Sequence, residues 1–168
     1  IIWHKPNPMP ESVQDRCTKA HEYIFLLSKS PKYYYDNEAI KEDAKFPNGP
    51  NSPHKIKAVD NVYSANLQKI GANPKRNKRS VWTITTKPFK GAHFATFPKD
   101  LIEPCVLAGC PEGGTVLDPF AGSGTTAEVA NAHNRNTVLC ELSNDYIEIA
   151  KKRLDGMFAN INVIGEGA

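Results

Sequence analysis

The sequence predicts an α/β fold built on parallel strands, and its C-terminal half supplies the three observations behind that prediction. The apolar run from Thr115 to Asp118 has the composition of a buried strand that ends in a carboxylate. A Gly-x-Gly turn follows at Gly122 to Gly124 and leads into a helical pattern. The next apolar run, from Thr137 to Cys140, is followed directly by Glu141. Strand, turn, helix and strand in this order predict a unit that binds a nucleotide-like ligand where its strands end.

The glycine turn and Glu141 have the spacing of a nucleotide site. Glu141 lies 19 residues after Gly122, a distance at which its carboxylate can accept hydrogen bonds from ribose hydroxyls. No Gly-Lys-Ser/Thr follows the turn, which excludes a P-loop. Ala127 and Glu128 occupy the place of the third glycine of a dinucleotide fingerprint. An adenosine-bearing cofactor other than a dinucleotide is favoured over a purely structural turn.

The N-terminal half predicts fewer elements. Residues 1–5 and 22–29 are expected to form an antiparallel strand pair around a proline-rich connection. Residues 39–44 have room for one or two helical turns. The β-rich run 80–86 is expected to be another strand.

Three helices are expected in the C-terminal half. The first begins near Pro98 and has a kink or a break at Pro104, because proline removes a helical hydrogen bond. The second follows the glycine turn, with Thr125 or Thr126 as its N-cap, and Ser143 is expected to cap the third.

Composition places the chain among ordinary globular proteins. Its 168 residues are 40% hydrophobic and 23% charged, enough for one domain with a core. No apolar run has the length of a membrane span, and no signal-peptide pattern is present. Cys17, Cys105, Cys110 and Cys140 form no Cys-x-x-Cys pair, so neither a disulfide nor a metal site is expected. A reduced, cytoplasmic protein is predicted.

Positive charge is concentrated in one segment. Residues 61–90 carry seven Lys or Arg and no acidic residue, whereas the rest of the chain carries 14 basic and 18 acidic residues. The densest part contains Lys75, Arg76, Lys78 and Arg79. These side chains are candidates for contacts with nucleic-acid phosphates, and a solvated charged face is the alternative.

Several motifs resemble one family. Asp118 to Thr126, Asp-Pro-Phe-Ala-Gly-Ser-Gly-Thr-Thr, is similar to the S-adenosylmethionine-binding motif of amino-group DNA methyltransferases, which methylate cytosine N4 or adenine N6. His93 to Pro98 resembles the segment that precedes this motif in the circularly permuted β-type order. Ile1 to Pro10 and His21 to Lys29 resemble the target-base side. The resemblance spans nearly the whole chain.

The resemblance implies a partial Rossmann-like, S-adenosylmethionine-dependent methyltransferase fold with a mixed sheet and an irregular basic insertion. Residues 1–35 would form the target-base side, residues 36–90 the target-recognition segment and residues 91–168 the cofactor-binding βαβα part. The cofactor contacts it implies are Asp118, Phe120, Gly122, Ser123, Gly124, Glu141, Thr96, Phe97 and Pro98.

The resemblance also implies double-stranded DNA as the partner and a flipped base as the target. An enzyme that acts on a base within a duplex extrudes it into a pocket with aromatic and hydrogen-bonding walls. Trp3 is expected to stack on that base and Lys5 to meet a phosphate, with His21 and Glu22 nearby. Residues 1–35 slightly favour cytosine N4 over adenine N6.

The family's catalytic tetrapeptide is absent from this sequence. It consists of Asp, Asn or Ser followed by Pro-Pro and an aromatic residue, and in the β-type order it precedes the region of Ile1. The chain is therefore expected to lack an N-terminal catalytic part and to transfer no methyl group by itself. The strand at 115–118 would then keep an unpaired edge, which favours self-association or pairing with the missing part.

Three other functions compete with this interpretation. A non-catalytic remnant that binds DNA or cofactor is the main alternative, supported by the absent tetrapeptide. A methyltransferase acting on RNA or a small molecule is less favoured, because the basic segment 61–90 suits a polyanion better than a small molecule. A nicotinamide oxidoreductase is least favoured, because the third glycine is missing.

Overall fold

The computed structural model describes residues 1–44, 75–86 and 97–155. The chain divides into two compact units, one formed by residues 1–36 with 79–168 and one by residues 37–78. Within the described ranges, every helix is too short or too polar to cross a membrane. The strands are β1 (Ile2–His4), β2 (His21–Tyr23), β3 (Glu42–Asp43), β4 (Lys75–Arg76), β5 (Val81–Thr83), β6 (Thr115–Asp118) and β7 (Asn136–Leu139). The helices are α1 (Lys99–Gly109), α2 (Thr125–Ala132) and α3 (Asn144–Leu154).

The first sheet is mixed and has β1 at its centre. β1 pairs antiparallel with β2, as predicted, and parallel with β5, a pairing that the sequence did not predict. β2 is shorter than the predicted strand 22–29. It runs antiparallel to β1, so the residues after Ile24 pass beyond Ile1 and have no β1 residue to pair with. Phe25 and Leu27 are consequently 77% and 86% exposed.

Two apolar clusters meet on α1. Leu101 packs with Trp3 of β1 and Trp82 of β5, all three of them buried. One turn further along α1, Val106 packs with Val129 of α2. Burying side chains of this size stabilises the fold by about 1.5–3 kcal/mol each. The helix therefore joins the mixed sheet to the C-terminal elements.

The helix α1 passes through Pro104 without a break. The predicted division into two short helices is wrong, because the structure has a single helix from Lys99 to Gly109. The predicted kink at Pro104 stays a prediction. Proline at this position removes only its own hydrogen bond to the preceding turn. Leu101 and Val106, on either side of it, are buried in different clusters and anchor both halves of the helix.

The C-terminal elements have the predicted order of strand, helix, strand and helix. β6 and β7 pair in parallel and α2 connects them, as in a βαβ unit. Val116 of β6 faces the cluster of Val106 and Val129, whereas Leu117 and Val138 on the other face are 65% and 52% exposed. Among the described residues, β7 is the only strand that pairs with β6.

The unit 37–78 contains a short antiparallel ribbon. β3 pairs with β4, with Glu42 opposite Arg76 and Asp43 opposite Lys75. The predicted helical turns at 39–44 are therefore wrong. Opposite charges face each other across both positions of the ribbon, and these cross-strand pairs favour the extended form over a solvent-exposed turn of helix.

Candidate cofactor site at the glycine loop

The end of β6 is tied to the start of α2 through Asp118. One carboxylate oxygen, Oδ1, accepts a hydrogen bond from the backbone N–H of Phe120 at 3.0 Å. The other, Oδ2, accepts the hydroxyl proton of Thr126 at 2.6 Å. Thr126 therefore does not cap the helix, and neither does Thr125. The N-cap is Gly124, whose φ of 79° is left-handed and suits glycine.

The two glycines of the loop, Gly122 and Gly124, have different structural roles. An added Cβ at Gly124 would lie 3.1 Å from the Cβ of Ala150 in α3, so the loop packs directly on that helix. An added Cβ at Gly122, whose φ is 51°, would meet no atom within 4 Å. Gly124 is thus needed for packing as well as for backbone conformation. Gly122 faces open space and leaves backbone accessible to a ligand.

Glu141, which follows β7, connects the glycine loop after β6 to the start of α3. Its Oε2 accepts the backbone N–H of Gly122 at 2.7 Å, and its Oε1 accepts those of Leu142 and Ser143 at 3.0 and 2.9 Å. The Ser143 hydrogen bond, more than any other contact, lowers the pKa of Glu141 below its ordinary value, although burial opposes it. The group is therefore an anion at neutral pH, fixed between the two strand ends.

The arrangement at Glu141 fits the ribose of an adenosine-bearing cofactor. A carboxylate offers about four acceptor positions, and the three backbone N–H groups leave roughly one for a hydroxyl donor. Phe120, two residues before Gly122, and Leu142, directly after Glu141, are 86% and 101% exposed. Apolar side chains beside a polar anchor are typical of sites that bind an aromatic base next to a sugar.

The segment before α1 reaches the same region. Phe97 lines a cavity of ≈ 390 Å³ together with Asp118 and Thr126, so the structure brings two of the predicted cofactor segments together. Pro98 is buried and forms the N-cap of α1, and its carbonyl accepts the N–H of Leu101. Thr96 lies outside the described residues.

The target-base side differs from the prediction at Trp3. This side chain is 4% exposed, and its indole N–H donates to the carbonyl of Ile84 at 2.8 Å. The ammonium group of Lys5 lies 4.4 Å from the centre of the indole ring and forms an ion pair with Glu22. Trp3 is thus a core residue here, with no ring face free to stack on a base.

His21 belongs to an aromatic row on β2. Its ring meets that of Tyr23 edge-on at 5.1 Å, and the Tyr23 ring lies 6.3 Å from that of Phe25. Tyr23 is 58% exposed. The row is the exposed aromatic surface of this sheet, a position that the sequence had assigned to Trp3.

Two residues of the basic run form ion pairs within the unit 37–78. Lys75 lies 2.7 Å from Asp43, and Arg76 lies 2.9 Å from Glu42. Lys75 lowers the pKa of Asp43 by a hydrogen bond and by its charge. Lys78 and Arg79 also have interactions within the chain. Contacts with phosphates would therefore compete with existing ion pairs at Lys75 and Arg76.

Sequence reasoning missed one residue that contacts the loop. Arg153 of α3 donates from Nη1 to the carbonyl and the hydroxyl of Ser123 and to the hydroxyl of Thr125. The sequence placed Arg153 on a helix with apolar neighbours but gave no signal for its partners, which lie about 30 residues earlier.

Among the described residues, no cluster of three His, Cys, Asp or Glu side chains is arranged to bind a metal.

Comparison with known proteins identifies the family of this chain. Residues 1–152 match the model of the N6/N4 DNA methylase family, and the chain belongs to that family. It is 45% identical over 161 residues to the type II methyltransferase M.Cfr9I of Citrobacter freundii, covering 96% of this chain and 45% of that protein. It is 48% identical over 154 residues to the type II methyltransferase M.SmaI of Serratia marcescens, covering 92% and 44%.

The fold is shared with a solved structure. The M1.HpyAVI–SAM complex superposes with a TM-score of 0.57 at 22% identity, covering 92% of this chain and 60% of that chain. This similarity supports a methyltransferase α/β fold with a mixed sheet. The chain spans less than half the length of M.Cfr9I and M.SmaI.

Proposed function

We propose that this chain is the cofactor-binding and target-recognition part of a type II DNA methyltransferase. Its reaction would move a methyl group from S-adenosylmethionine to an exocyclic amine, cytosine N4 or adenine N6, of a base flipped out of duplex DNA. The observation that carries the proposal is the bridge between Glu141 and Gly122, which joins the two strand ends around a free acceptor position. Family membership and the type II methyltransferases among its relatives support the same function.

S-adenosylmethionine is the cofactor of this family, and it supplies an electrophilic methyl group on a sulfonium. The proposed roles of the protein are binding and orientation. Glu141 accepts a ribose hydroxyl, the exposed Phe120 covers the adenine, and the open backbone at Gly122 lets the ligand approach. Asp118 keeps the loop in place through Phe120 and Thr126. Such fixed geometry is what methyl transfer requires, because the amine must be in line with the methyl carbon.

Calorimetric titration of the 168-residue chain with S-adenosylmethionine tests the cofactor site. Replacing Glu141 by Gln puts an NH₂ donor against backbone N–H groups, and we expect the affinity to fall by about tenfold or more. Glu148→Gln is the matched control, because this exposed carboxylate pairs with Lys151 on α3. Equal affinities for the two variants would contradict the role of Glu141, and no binding by the unaltered chain would contradict the cofactor site.

The DNA side of the proposal rests on a smaller set of residues than the sequence suggested. Lys5 and Glu22 form an ion pair at the edge of the aromatic row, with His21 beside them. Trp3 is 4% exposed and is therefore left out of the proposed base contacts. We propose Lys5, His21 and Glu22 as the residues nearest the flipped base. The segment 36–90, which contains the basic run, is proposed to recognise the DNA sequence through contacts that include phosphates.

The chain by itself is proposed to be catalytically inactive. It contains no Asp/Asn/Ser-Pro-Pro-aromatic tetrapeptide, and it matches less than half the length of its relatives. Leu117 and Val138 are exposed on a sheet face that is covered in doubly wound proteins, and β6 has one unpaired edge among the described residues. We propose that the rest of a full-length methyltransferase covers this face. Self-association of the chain is the alternative.

A methylation assay separates this proposal from a non-catalytic remnant. Radiolabelled methyl transfer to duplex DNA is measured with the 168-residue chain and with the same chain fused to the N-terminal part of M.Cfr9I. We expect no transfer by the chain alone and transfer by the fusion. Transfer by the chain alone would show that the catalytic group lies within it. A fusion that is inactive, although it binds the cofactor, would favour the remnant.

A further inference from the structure

Arg153 contacts the loop that contains the proposed cofactor contacts. Arg153 is 17% exposed in its side chain and lies on α3, the helix whose Ala150 packs against Gly124. Its Nη1 lies 3.2 Å from the Ser123 carbonyl, 3.2 Å from the Ser123 hydroxyl and 3.1 Å from the Thr125 hydroxyl. One guanidinium nitrogen therefore meets both residues that flank Gly124, the position with the left-handed backbone.

The other side of the guanidinium is directed to a second helix. Nε of Arg153 lies 2.5 Å from Oε2 of Glu128 on α2, whose side chain is 15% exposed. Two ions that are this far removed from water interact more strongly than a surface pair. The planar guanidinium thus reaches the glycine loop with one nitrogen and α2 with another, an arrangement that the single ammonium of lysine cannot reproduce.

Glu128 in turn receives a second cation. Its Oε1 pairs with the ammonium group of Lys99, the first residue of α1. Lys99 directly follows Phe97 and Pro98, which are predicted to contact the cofactor from the segment before α1. The chain of charges Lys99–Glu128–Arg153 therefore runs from the segment before α1, across α2, to the glycine loop. These three charged side chains connect two segments that are proposed to contact the same cofactor.

We propose that Arg153 is a positioning residue for cofactor binding, and that Glu128 couples the glycine loop to the segment before α1. The inference depends on the proposed S-adenosylmethionine site. Without Arg153, the Ser123–Gly124–Thr125 segment loses three of the contacts that orient it, and the N–H of Gly122 meets Glu141 in a less fixed geometry. Binding then has to order the loop, which reduces affinity.

Two measurements on the full 168-residue chain test the proposal. S-adenosylmethionine affinity is measured by calorimetry, and amide hydrogen exchange of the segment 119–126 is measured without cofactor. For Arg153→Met we expect affinity to fall by about tenfold, the effect of losing one charge-assisted interaction, and exchange of the loop to accelerate. Arg153→Lys is expected to be intermediate. Lys152→Met is the matched control, because it removes the same charge from an exposed position of α3.

The coupling through Glu128 is measured by a double-mutant cycle. Glu128→Gln and Arg153→Met are expected to weaken binding singly, and the double variant is expected to weaken it by less than the product of the two effects. Lys99→Met is expected to have a smaller effect, since its side chain is 53% exposed. Fully multiplicative effects of Glu128→Gln and Arg153→Met would overturn the coupling.

The outcomes distinguish this inference from the proposed function. Loop exchange that does not change in Arg153→Met overturns the inference, whether or not the chain binds cofactor. Faster exchange with unaltered affinity overturns it as well, because Arg153 would then be only structural. If the unaltered chain does not bind S-adenosylmethionine, the proposed function fails, and the inference about Arg153 fails with it. Weaker binding with an unaltered unfolding midpoint supports it.

Discussion

The C-terminal βαβα region and the N-terminal mixed sheet use their polar groups in opposite ways. In the C-terminal region, Asp118 accepts a backbone N–H of the loop that follows it, and Glu141 accepts N–H groups of the earlier glycine loop and of the residues directly after it. In the mixed sheet, Lys5 and Glu22 satisfy each other at the surface and leave the backbone to the strand ladder. The glycine loop is therefore held by a nearby carboxylate, Asp118, and also by Glu141 and Arg153, which lie 19 and 30 residues further along the chain. The target-base side takes its shape from strands that are distant in the chain.

The two regions are alike in their apolar surfaces. The mixed sheet buries its tryptophans, Trp3 and Trp82, yet exposes Phe25 and Leu27 beyond β2. The βαβα region buries Val129 and Ala130 of α2 and exposes Leu117 and Val138 on the far face of its strands. Each region thus has one complete core and one uncovered apolar surface. The comparison shows that the glycine loop and Glu141 are held together by a hydrogen bond although one face of the same sheet is exposed.

The largest effect is expected in the mixed sheet. Trp3→Ala should lower the free energy of unfolding by about 3–5 kcal/mol, because it empties a core site and leaves the carbonyl of Ile84 without its donor. Phe25→Ala, at a side chain that is 77% exposed, should change it by less than about 0.5 kcal/mol. Urea denaturation measures both. An unchanged free energy of unfolding in Trp3→Ala would contradict the core role of Trp3 and leave base stacking as its predicted role.

A smaller effect is expected in the cofactor loop. Gly124→Val forces a left-handed backbone on a β-branched residue and drives its Cβ toward that of Ala150, so we expect a loss of about 2–4 kcal/mol. Gly109→Ala is the control, because an added Cβ there meets nothing within 4 Å and alanine favours the helix. Urea midpoints compare the two. Equal stability of both variants would contradict the close packing of the loop on α3.

The smallest effect concerns pH. The pKa of Glu141 is lowered in the folded chain, chiefly by the N–H of Ser143, so its contribution to stability is present above the ordinary glutamate pKa and lost as pH falls through the lowered value. Cofactor affinity should therefore be nearly constant between about pH 8 and pH 5 and decline only under more acidic conditions. Titration calorimetry across this range measures it. A decline that begins near neutrality and persists in Glu141→Gln would assign the titration to another group.

Sequence reasoning was most successful where partners are close along the chain. The order of β6, α2, β7 and α3 was predicted because a periodic apolar pattern, a glycine turn and a terminal carboxylate each leave a local signal. The prediction that a threonine forms the N-cap of α2 was wrong, because Gly124 occupies that position. The hydroxyl of Thr126 has a choice between capping the helix and bonding to Asp118, and only the folded geometry decides between them.

Other failures share a second cause. The strand at Glu42–Asp43 replaced a predicted helical turn because its partners, Lys75 and Arg76, lie more than 30 residues away. The exposed row of His21, Tyr23 and Phe25 was overlooked because the parallel pairing of β1 with β5 could not be predicted from either strand.

The sequence by itself determined the class of site. Backbone flexibility at Gly122 and Gly124 and a carboxylate at Glu141 are properties of single residues at fixed spacings, and they persist in any chain that places two parallel strands side by side. Only the tertiary structure decided what supports that site. The reach of Arg153 to Ser123 and the burial of Trp3 depend on which surfaces of distant elements meet, because the packing of a core is a collective property of the folded chain.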